Sequence, residues 1–142
     1  MAFRMHKVQV WTADIPDRPG AAAAILERLA HAGVDLEFVF TRPRRDNLQL
    51  SQMFLAPIVD PAHIQAAKEA GLTPARDIAM LCVEGDNRTG IGYDIMSRIA
   101  VAGINLRGLT VSIINHRYAA YLAFDNADDV TMAIQLLATL PD

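Results

Sequence analysis

The sequence has little cysteine, no long hydrophobic run and no large excess of either charge. Its single cysteine, Cys82, excludes an intrachain disulfide and a cysteine-based metal cluster, and it fits a reducing cytoplasm. No run approaches the roughly 20 apolar residues of a membrane span, and the N-terminal segment lacks the apolar core of a signal peptide. A formal net charge of -3 argues against nucleic-acid and anionic-membrane binding. We therefore expect a cytoplasmic protein without membrane or nucleic-acid partners.

An internal repeat is the strongest feature of the sequence. The chain has 142 residues, of which 52% are apolar, so it can bury a core as one ordinary domain or two small ones. Shifted by 70 positions, the chain matches itself without a gap at a turn, along a helix face and at a helix stop. We interpret this as two copies of one unit, covering residues 1–72 and 73–142. The identical pairs are Arg18/Arg88, Gly20/Gly90, Ile25/Ile95, Arg28/Arg98, Ala30/Ala100, Ala32/Ala102, Gly33/Gly103 and Leu36/Leu106.

Each copy predicts the same order of elements. An apolar strand, at residues 7–13 or 78–83, leads into an Asx-Arg-Xaa-Gly turn and then a helix that stops at Gly33 or Gly103. The segments VDLEFVF and INLRGLTVSII read as the next strands, with a bulge expected near Gly108, where the alternation changes phase. A hairpin to residues 48–56 or 118–124 and a second helix complete the copy.

The predicted fold is α+β: two ferredoxin-like βαββα(β) units with antiparallel sheets and helices on one face. The last strand is the weak point of this pattern. After the first copy, Pro74 would confine such a strand to a sheet edge, and after the second copy only two residues remain. We expect either an incomplete sheet or an edge filled by another chain or by the sister unit.

The turn before each first helix is a candidate anion site. The first N–H groups of a helix lack partners and lie at the positive end of its dipole, which suits a carboxylate or phosphate. Gly20 and Gly90 would let a ligand approach the backbone closely. Asp17 and Asn87 are expected as caps and as ligand contacts. The alternative is that both turns are only helix caps, because capping needs the same residue types.

Asp35 and Asn105 open the strands that follow these helices. If two units pair side by side, the turn of one can meet the strand start of the other. An Asn amide can read both an ammonium and a carboxylate, whereas Asp favours the ammonium alone, so the two sites should differ. The alternative, to which we give equal weight, is that Asp35 and Asn105 are only solvated residues at a strand edge.

The segments ADIPDRPGAAAAILERLAHAGVDL and VEGDNRTGIGYDIMSRIAVAGINL resemble the opening of an ACT domain, a small βαββαβ module that regulates amino-acid metabolism. The resemblance implies that the units pair and bind an amino acid where a turn meets a neighbouring strand. Thr89 departs from the usual proline, and Asp35 departs from the usual Asn. By position, the resemblance implicates Asp17, Arg18, Pro19, Gly20, Ala21 and Asp35, and in the second copy Asn87, Arg88, Thr89, Gly90, Ile91 and Asn105.

No residue pattern predicts catalysis, a metal or a cofactor. The four histidines lack metal-ligand spacing. The cluster of Arg42, Arg44 and Arg45 could contact phosphate or an acidic protein, although a solvated hairpin tip is the stronger interpretation. We expect a regulatory module that binds an amino acid or similar carboxylate, mainly at the second turn. We also expect it to form a homodimer whose arrangement is recognised by a partner enzyme or transcriptional regulator. The alternative is a module with empty turns that serves only protein–protein interaction.

Overall fold

The computed structural model describes residues 3–141, and contacts between them divide the chain into two compact units. The N-terminal unit is Gln9–Ala75, and the C-terminal unit joins residues 3–8 to residues 76–141. The elements in chain order are β1 (Phe3–Val8), β2 (Trp11–Pro16), α1 (Ala21–His31), β3 (Phe38–Pro43), β4 (Leu50–Ala56), α2 (Pro61–Glu69), β5 (Thr73–Pro74), β6 (Ala79–Asp86), α3 (Ile91–Val101), β7 (Leu106–Ile114), β8 (Arg117–Phe124) and α4 (Ala127–Leu137).

The N-terminal unit is a four-stranded antiparallel sheet in the order β3-β4-β2-β5, with α1 and α2 on one face. Inward residues of β2 and β4 alternate along each strand and pack against the apolar stripes of the helices. Strand β5 is only two residues long and lies at the sheet edge, where a proline is tolerated. The buried centre of this core consists of Trp11, Ile15, Leu29, Met53, Leu55, Ile58, Ala67 and Leu72.

The C-terminal unit repeats this arrangement in a sheet of order β1-β6-β8-β7, covered on one face by α3 and α4. Both sheets therefore have the ferredoxin-like strand order, which confirms the predicted α+β fold. The core is larger than in the N-terminal unit, and its fully buried members include Leu81, Val83, Ile95, Ile99, Ala120, Leu122, Phe124, Ala133 and Leu137.

The opening strand was predicted wrongly. Residues 7–13 do not form one strand: β1 ends at Val8, β2 begins at Trp11, and the chain passes between units there. Strand β1 pairs antiparallel with β6 and supplies the edge strand that the C-terminal half lacks, so that edge is completed by the chain's own N-terminal residues. The prediction that residues 1–72 and 73–142 are separate domains stays a prediction, but the compact units differ from it in the placement of residues 3–8.

Local signals elsewhere agree with the structure. Helices α1 and α3 are followed by Gly33 and Gly103, which have φ angles of 82° and 74°. The register of β7 against β8 shifts between Leu106 and Gly108, which confirms the predicted bulge. The segment VDLEFVF begins pairing as a strand only at Phe38, and Val34 and Leu36 before it pack against the core. None of the helices formed by residues 3–141 has the length and apolarity needed to cross a bilayer.

Candidate anion-binding turns

The two turns have the same backbone conformation. In the N-terminal unit, the Asp17 N–H donates to the Gln49 carbonyl at 2.8 Å; in the C-terminal unit, the Asn87 N–H donates to the His116 carbonyl at 2.8 Å. The glycine that precedes each helix is left-handed, with φ of 88° at Gly20 and 85° at Gly90. A residue with a side chain is strained at such an angle. The repeated glycine is therefore required by the backbone.

Neither helix is capped by a side chain. The N-cap residues of α1 and α3 are Gly20 and Gly90, not Asp17 and Asn87, so the prediction that these two residues cap the helices was wrong. The physical reason is position: Asp17 and Asn87 lie three residues before the N-cap, whereas a capping side chain must belong to the N-cap residue itself. The first N–H of each helix makes a long bond within its own turn, from Ala21 to the Arg18 carbonyl at 3.4 Å and from Ile91 to the Arg88 carbonyl at 3.3 Å. No side chain caps the N–H groups that follow, so they suit an external acceptor.

Space is open on the side-chain side of the glycines in these turns. A methyl group added at Gly20, Gly90 or Gly92 would meet no other atom within 4 Å. Ala21 is half-buried, while Pro19 and Thr89 are exposed. Ile91 is different, because its side chain is buried in the core and only its backbone can face a ligand.

At the second turn, only one of the two terminal nitrogens of Arg88 has a partner. Its Nη1 forms an ion pair with Oδ2 of Asp94 at 2.6 Å, and Asp94 belongs to the first turn of α3, where a negative charge suits the helix dipole. The other terminal nitrogen, Nη2, is buried and has no hydrogen-bond partner among residues 3–141. A buried donor without an acceptor is unfavourable, so this nitrogen is ready to donate to an oxygen from outside the chain.

Tyr118 brings a second unpaired group to the same region. This residue is 3% exposed, packs in the same core cluster as Ile91, and has a hydroxyl without a hydrogen-bond partner in the described part of the chain. Burial raises the pKa of the Tyr118 hydroxyl, and the nearby positive charges of Arg88 and Arg117 oppose that rise. The hydroxyl is therefore a neutral donor within the electrostatic reach of the Arg88 guanidinium.

The first turn differs at each of these positions. Ser51 stands opposite Ile15 in β2, as Tyr118 stands opposite Gly85 in β6, and the Ser51 hydroxyl donates to Oδ1 of Asp17 at 3.2 Å. Position 24, which corresponds to Asp94, is an alanine, and Arg18 is exposed. Across the residues that the structure describes, Arg18 has no ion-pair partner.

Asp35 and Asn105 lie away from these turns within their own units. Both are exposed and follow the C-terminal ends of α1 and α3, whereas the turns precede the N-terminal ends. Each of these helices has 11 residues, which corresponds to a length of about 16 Å. Residues 17–21 thus form one turn and residues 87–91 form the corresponding turn of the other unit. Asp35 and Asn105 do not reach the turn of their own unit.

Sequence reasoning missed Tyr118, Asp94 and Ser51 as members of these turns. The sequence did mark Tyr118, because it is the one residue with a hydroxyl among the inward positions of β8. The other inward residues are Ala120, Leu122 and Phe124. Asp94 stands in the first helical turn, six residues after Arg88 in the sequence.

In the arginine cluster at the β3–β4 hairpin, Arg44 is paired with two carboxylates. Arg44 bonds to Asp14 at 2.7 Å and also to Asp46, and the hydrogen bond from Arg44 lowers the pKa of Asp46. The Arg42 guanidinium lies 5.2 Å from the centre of the Phe54 ring. The depression beside them, about 610 Å³, is open to solvent. Over the described part of the chain, no group of three or more His, Cys, Asp or Glu residues gathers as a metal site would.

Comparison with known proteins adds a family match and fold relatives. The ACT domain family model matches residues 12–70. The regulatory subunit of aspartate kinase from Thermus thermophilus, in its ligand-free form, aligns over 100% of this chain and 98% of its own, with 16% identity and a TM-score of 0.67. Protein BT0572 from Bacteroides thetaiotaomicron aligns over 97% and 90%, with 15% identity and a TM-score of 0.74. No curated protein matches the sequence.

A longer enzyme also contains this fold. Aspartokinase III from E. coli, in complex with lysine and aspartate, aligns over 100% of this chain but only 33% of its own, with 11% identity and a TM-score of 0.55. At these identities the likeness concerns the fold, which these proteins share with this chain.

Proposed function

We propose that the protein is a non-catalytic regulatory module that binds an amino acid, or a similar small carboxylate, at the turn before α3. The observation that carries this proposal is the uncapped N-terminus of α3 beside the buried, unpaired Nη2 of Arg88. Helix N–H groups and a guanidinium are the usual partners of a carboxylate. The ACT match on residues 12–70 supports a regulatory role for the fold, and the lysine and aspartate bound by the E. coli relative support an amino-acid ligand.

In the proposed complex, the ligand carboxylate accepts hydrogen bonds from the N–H groups at Gly90 and Gly92. Thr89 and the Asn87 amide line the same turn and contact the polar parts of the ligand. Asn105 cannot reach the ligand from its own unit, so its contribution requires a second unit whose strand start approaches this turn. A ligand held between two units favours the arrangement in which both contact it, and it shifts the population by its difference in affinity for the two arrangements.

The equivalent residues of the first turn, Asp17 to Ala21, form the same corner, but we propose that they do not hold a ligand. Asp17 carries a negative charge three residues before Gly20 and accepts a hydrogen bond from Ser51, and its charge repels a second carboxylate. Asp35, like Asn105, would have to come from another unit.

A second candidate function, self-association without a ligand, is favoured by strand β7. This strand lies at the edge of its sheet, and the apolar residues on its helix side are between 37% and 48% exposed. Unpaired backbone groups and exposed apolar side chains suit the addition of a strand from another chain. We propose a homodimer that uses this edge, whether or not a ligand binds. The exposed residues are Leu109, Val111 and Ile113.

The test of ligand binding is a thermal-shift screen of each common L-amino acid, followed by calorimetric titration of those that raise the melting temperature. Arg88→Gln and Arg18→Gln form a matched pair, because the two arginines occupy the same position in the two copies. We expect Arg88→Gln to weaken binding by about tenfold or more, since a hydrogen bond to a charged group contributes about 1.5–3 kcal/mol. Arg18→Gln should bind like the unmodified protein. If no amino acid binds, or if both variants behave alike, the proposed site is wrong.

Self-association is tested separately by sedimentation of the protein without ligand. Val111→Lys places a charge on the exposed edge of β7 and should convert a dimer to a monomer, whereas Val101→Lys, on an exposed helix position, should not. A dimer that persists in Val111→Lys would show that β7 is not the contact. Dimerisation combined with no amino-acid binding would favour the interaction module over the ligand-binding one.

A further inference from the structure

The two turns differ in whether the chain satisfies its own polar groups. At the first turn, the inward residue of the adjacent strand is Ser51, and its hydroxyl bonds to Asp17. At the second turn, the inward residue at the same sheet position is Tyr118, and its hydroxyl and Nη2 of Arg88 are both buried and unpaired within residues 3–141. Unpaired buried polar groups are unfavourable in folded proteins, and an acceptor shared by these two would satisfy both.

Backbone pairing brings the two residues to the same end of the sheet. Tyr118 stands opposite Gly85 in β6, and the N–H of Asn87, next to Arg88, donates to the carbonyl of His116 at 2.8 Å. Neither the Tyr118 hydroxyl nor Nη2 of Arg88 has a hydrogen-bond partner in the described chain. Nη2 can only donate, and a neutral phenol can donate as well. An oxygen with two free lone pairs, placed between them, would satisfy both groups. A carboxylate supplies such an oxygen, together with a second one for the N–H groups at the start of α3.

The first turn has no corresponding pair of buried, unpaired donors among the described residues. Asp17 places a negative charge beside the helix start, where the second copy has the neutral amide of Asn87. The Asp17 charge therefore opposes the binding of a second carboxylate at the first turn. Ala24 stands in place of Asp94, so nothing equivalent in the described chain holds Arg18 over its turn.

We propose that one carboxylate oxygen of the ligand bridges the Tyr118 hydroxyl and Nη2 of Arg88, and that the Asp17–Ser51 contact closes the first turn, so that each chain binds one ligand molecule. This proposal rests on the proposed function and deepens it. Tyr118 becomes a residue that recognises the carboxylate from the core side of the turn, and the two copies of the repeat have different roles: one binds, and the other is closed by its own side chains.

Tyr118→Phe separates a binding role from a structural one. The substitution keeps the ring that packs in the core and removes only the hydroxyl, which has no partner in the described chain. Removing an unpaired buried hydroxyl should leave the ligand-free melting temperature unchanged or raise it, whereas loss of a needed hydrogen bond would lower it. Tyr93→Phe, in the first turn of α3 and 76% exposed, is the matched control.

The experiment is calorimetric titration of the full-length chain with each common L-amino acid, and with acetate and inorganic phosphate as bare anions. For an amino acid that binds, we expect one molecule per chain and a loss of affinity of about tenfold or more in Tyr118→Phe. Tyr93→Phe should retain the affinity and the stoichiometry. Competition by phosphate as strong as that by acetate would show that the site selects any small anion, and it would overturn the assignment of a carboxylate.

A second readout follows the Tyr118 hydroxyl itself. In the protein labelled at the tyrosine ring carbons, the alkaline titration of Tyr118 should move to higher pH when the amino acid is bound, because a nearby carboxylate disfavours the phenolate. Binding without this movement, and with full affinity in Tyr118→Phe, would mean that an ordered water fills the gap and that this inference is wrong while the proposed function stands. Two molecules bound per chain would overturn the closed first turn. If none of the amino acids or anions binds, the inference and the proposed function both fail.

Discussion

The role of β1 as the edge strand of the C-terminal unit can be tested by replacing Phe3 with alanine. The Phe3 side chain is 4% exposed and belongs to the core cluster of that unit, although it stands more than 70 positions before the unit's other strands. Removing a buried phenylalanine side chain costs about 3–5 kcal/mol of folding free energy. We expect the lower end, about 3 kcal/mol, because Phe3 is at the end of an edge strand whose surroundings can partly collapse.

Urea unfolding gives two probes for this variant. Trp11 is the only tryptophan, and it is buried in the N-terminal unit, so its fluorescence follows that unit, while far-ultraviolet circular dichroism follows both. The free energy of unfolding falls by about 1–3 kcal/mol per molar urea. The loss of about 3 kcal/mol should therefore move the urea midpoint of the C-terminal unit by roughly 1–3 M. The Trp11 transition should move less. Lys7→Ala, at an exposed position of the same strand, is the control. If Phe3→Ala unfolds like Lys7→Ala, β1 does not complete the sheet.

Three further predictions concern the turns and the hairpin. Gly90→Ala should lower stability by about 1–2 kcal/mol in thermal unfolding because φ there is 85°, whereas Gly92→Ala, in an open helical position, should stabilise by up to about 1 kcal/mol; equal effects would contradict the left-handed cap. The raised pKa of Tyr118 means that the folded state keeps a proton that the unfolded state loses above pH of about 10, so stability should fall as pH rises beyond that value, and this slope should disappear in Tyr118→Phe. Carboxyl titration by NMR should give Asp46 a pKa below its ordinary value of 3.8 that returns towards it in Arg44→Ala, and an unchanged Asp46 pKa would refute the pair.

The parts of the fold that depend on local chemistry could be predicted from the sequence. Gly33 and Gly103 follow their helices because only a residue without a side chain takes positive φ easily, and the bulge before Gly108 appears in the sequence as a change of phase. The partner of β1 could not be predicted in this way. The segment FRMHKV alternates as a strand should, but the alternation identifies a strand without identifying the sheet it joins. Two short strands that follow each other were therefore read as one.

The candidate site could likewise be predicted from the sequence only in part. The turns were predictable because an Asx-Arg-Xaa-Gly corner before an apolar helix needs a left-handed glycine wherever it occurs. The inward residue beside each turn was not, because it depends on the register of β4 and β8 against their neighbours, and a slip of one residue would turn Tyr118 to the opposite face. The capping role of Asp17 was predicted wrongly for a related reason: residue type favours capping, but the chain begins its helix three residues later.

The differences between the two copies explain how one backbone can serve two purposes. The glycine-closed corner, the strand before it and the helix after it are shared, since these features are imposed by φ angles and by burial. What differs is the charge and hydrogen-bonding capacity placed around the helix start. The first copy has the Asp17 carboxylate, to which Ser51 donates, where the second copy has the neutral Asn87 amide. The second copy has a carboxylate at Asp94, but it is paired with Nη1 of Arg88, and Nη2 of Arg88 and the Tyr118 hydroxyl stay buried without an acceptor in the described chain. Buried donors without an acceptor are unfavourable, so an added acceptor would stabilise the second corner and not the first. The three pairs of positions are Asp17/Asn87, Ala24/Asp94 and Ser51/Tyr118.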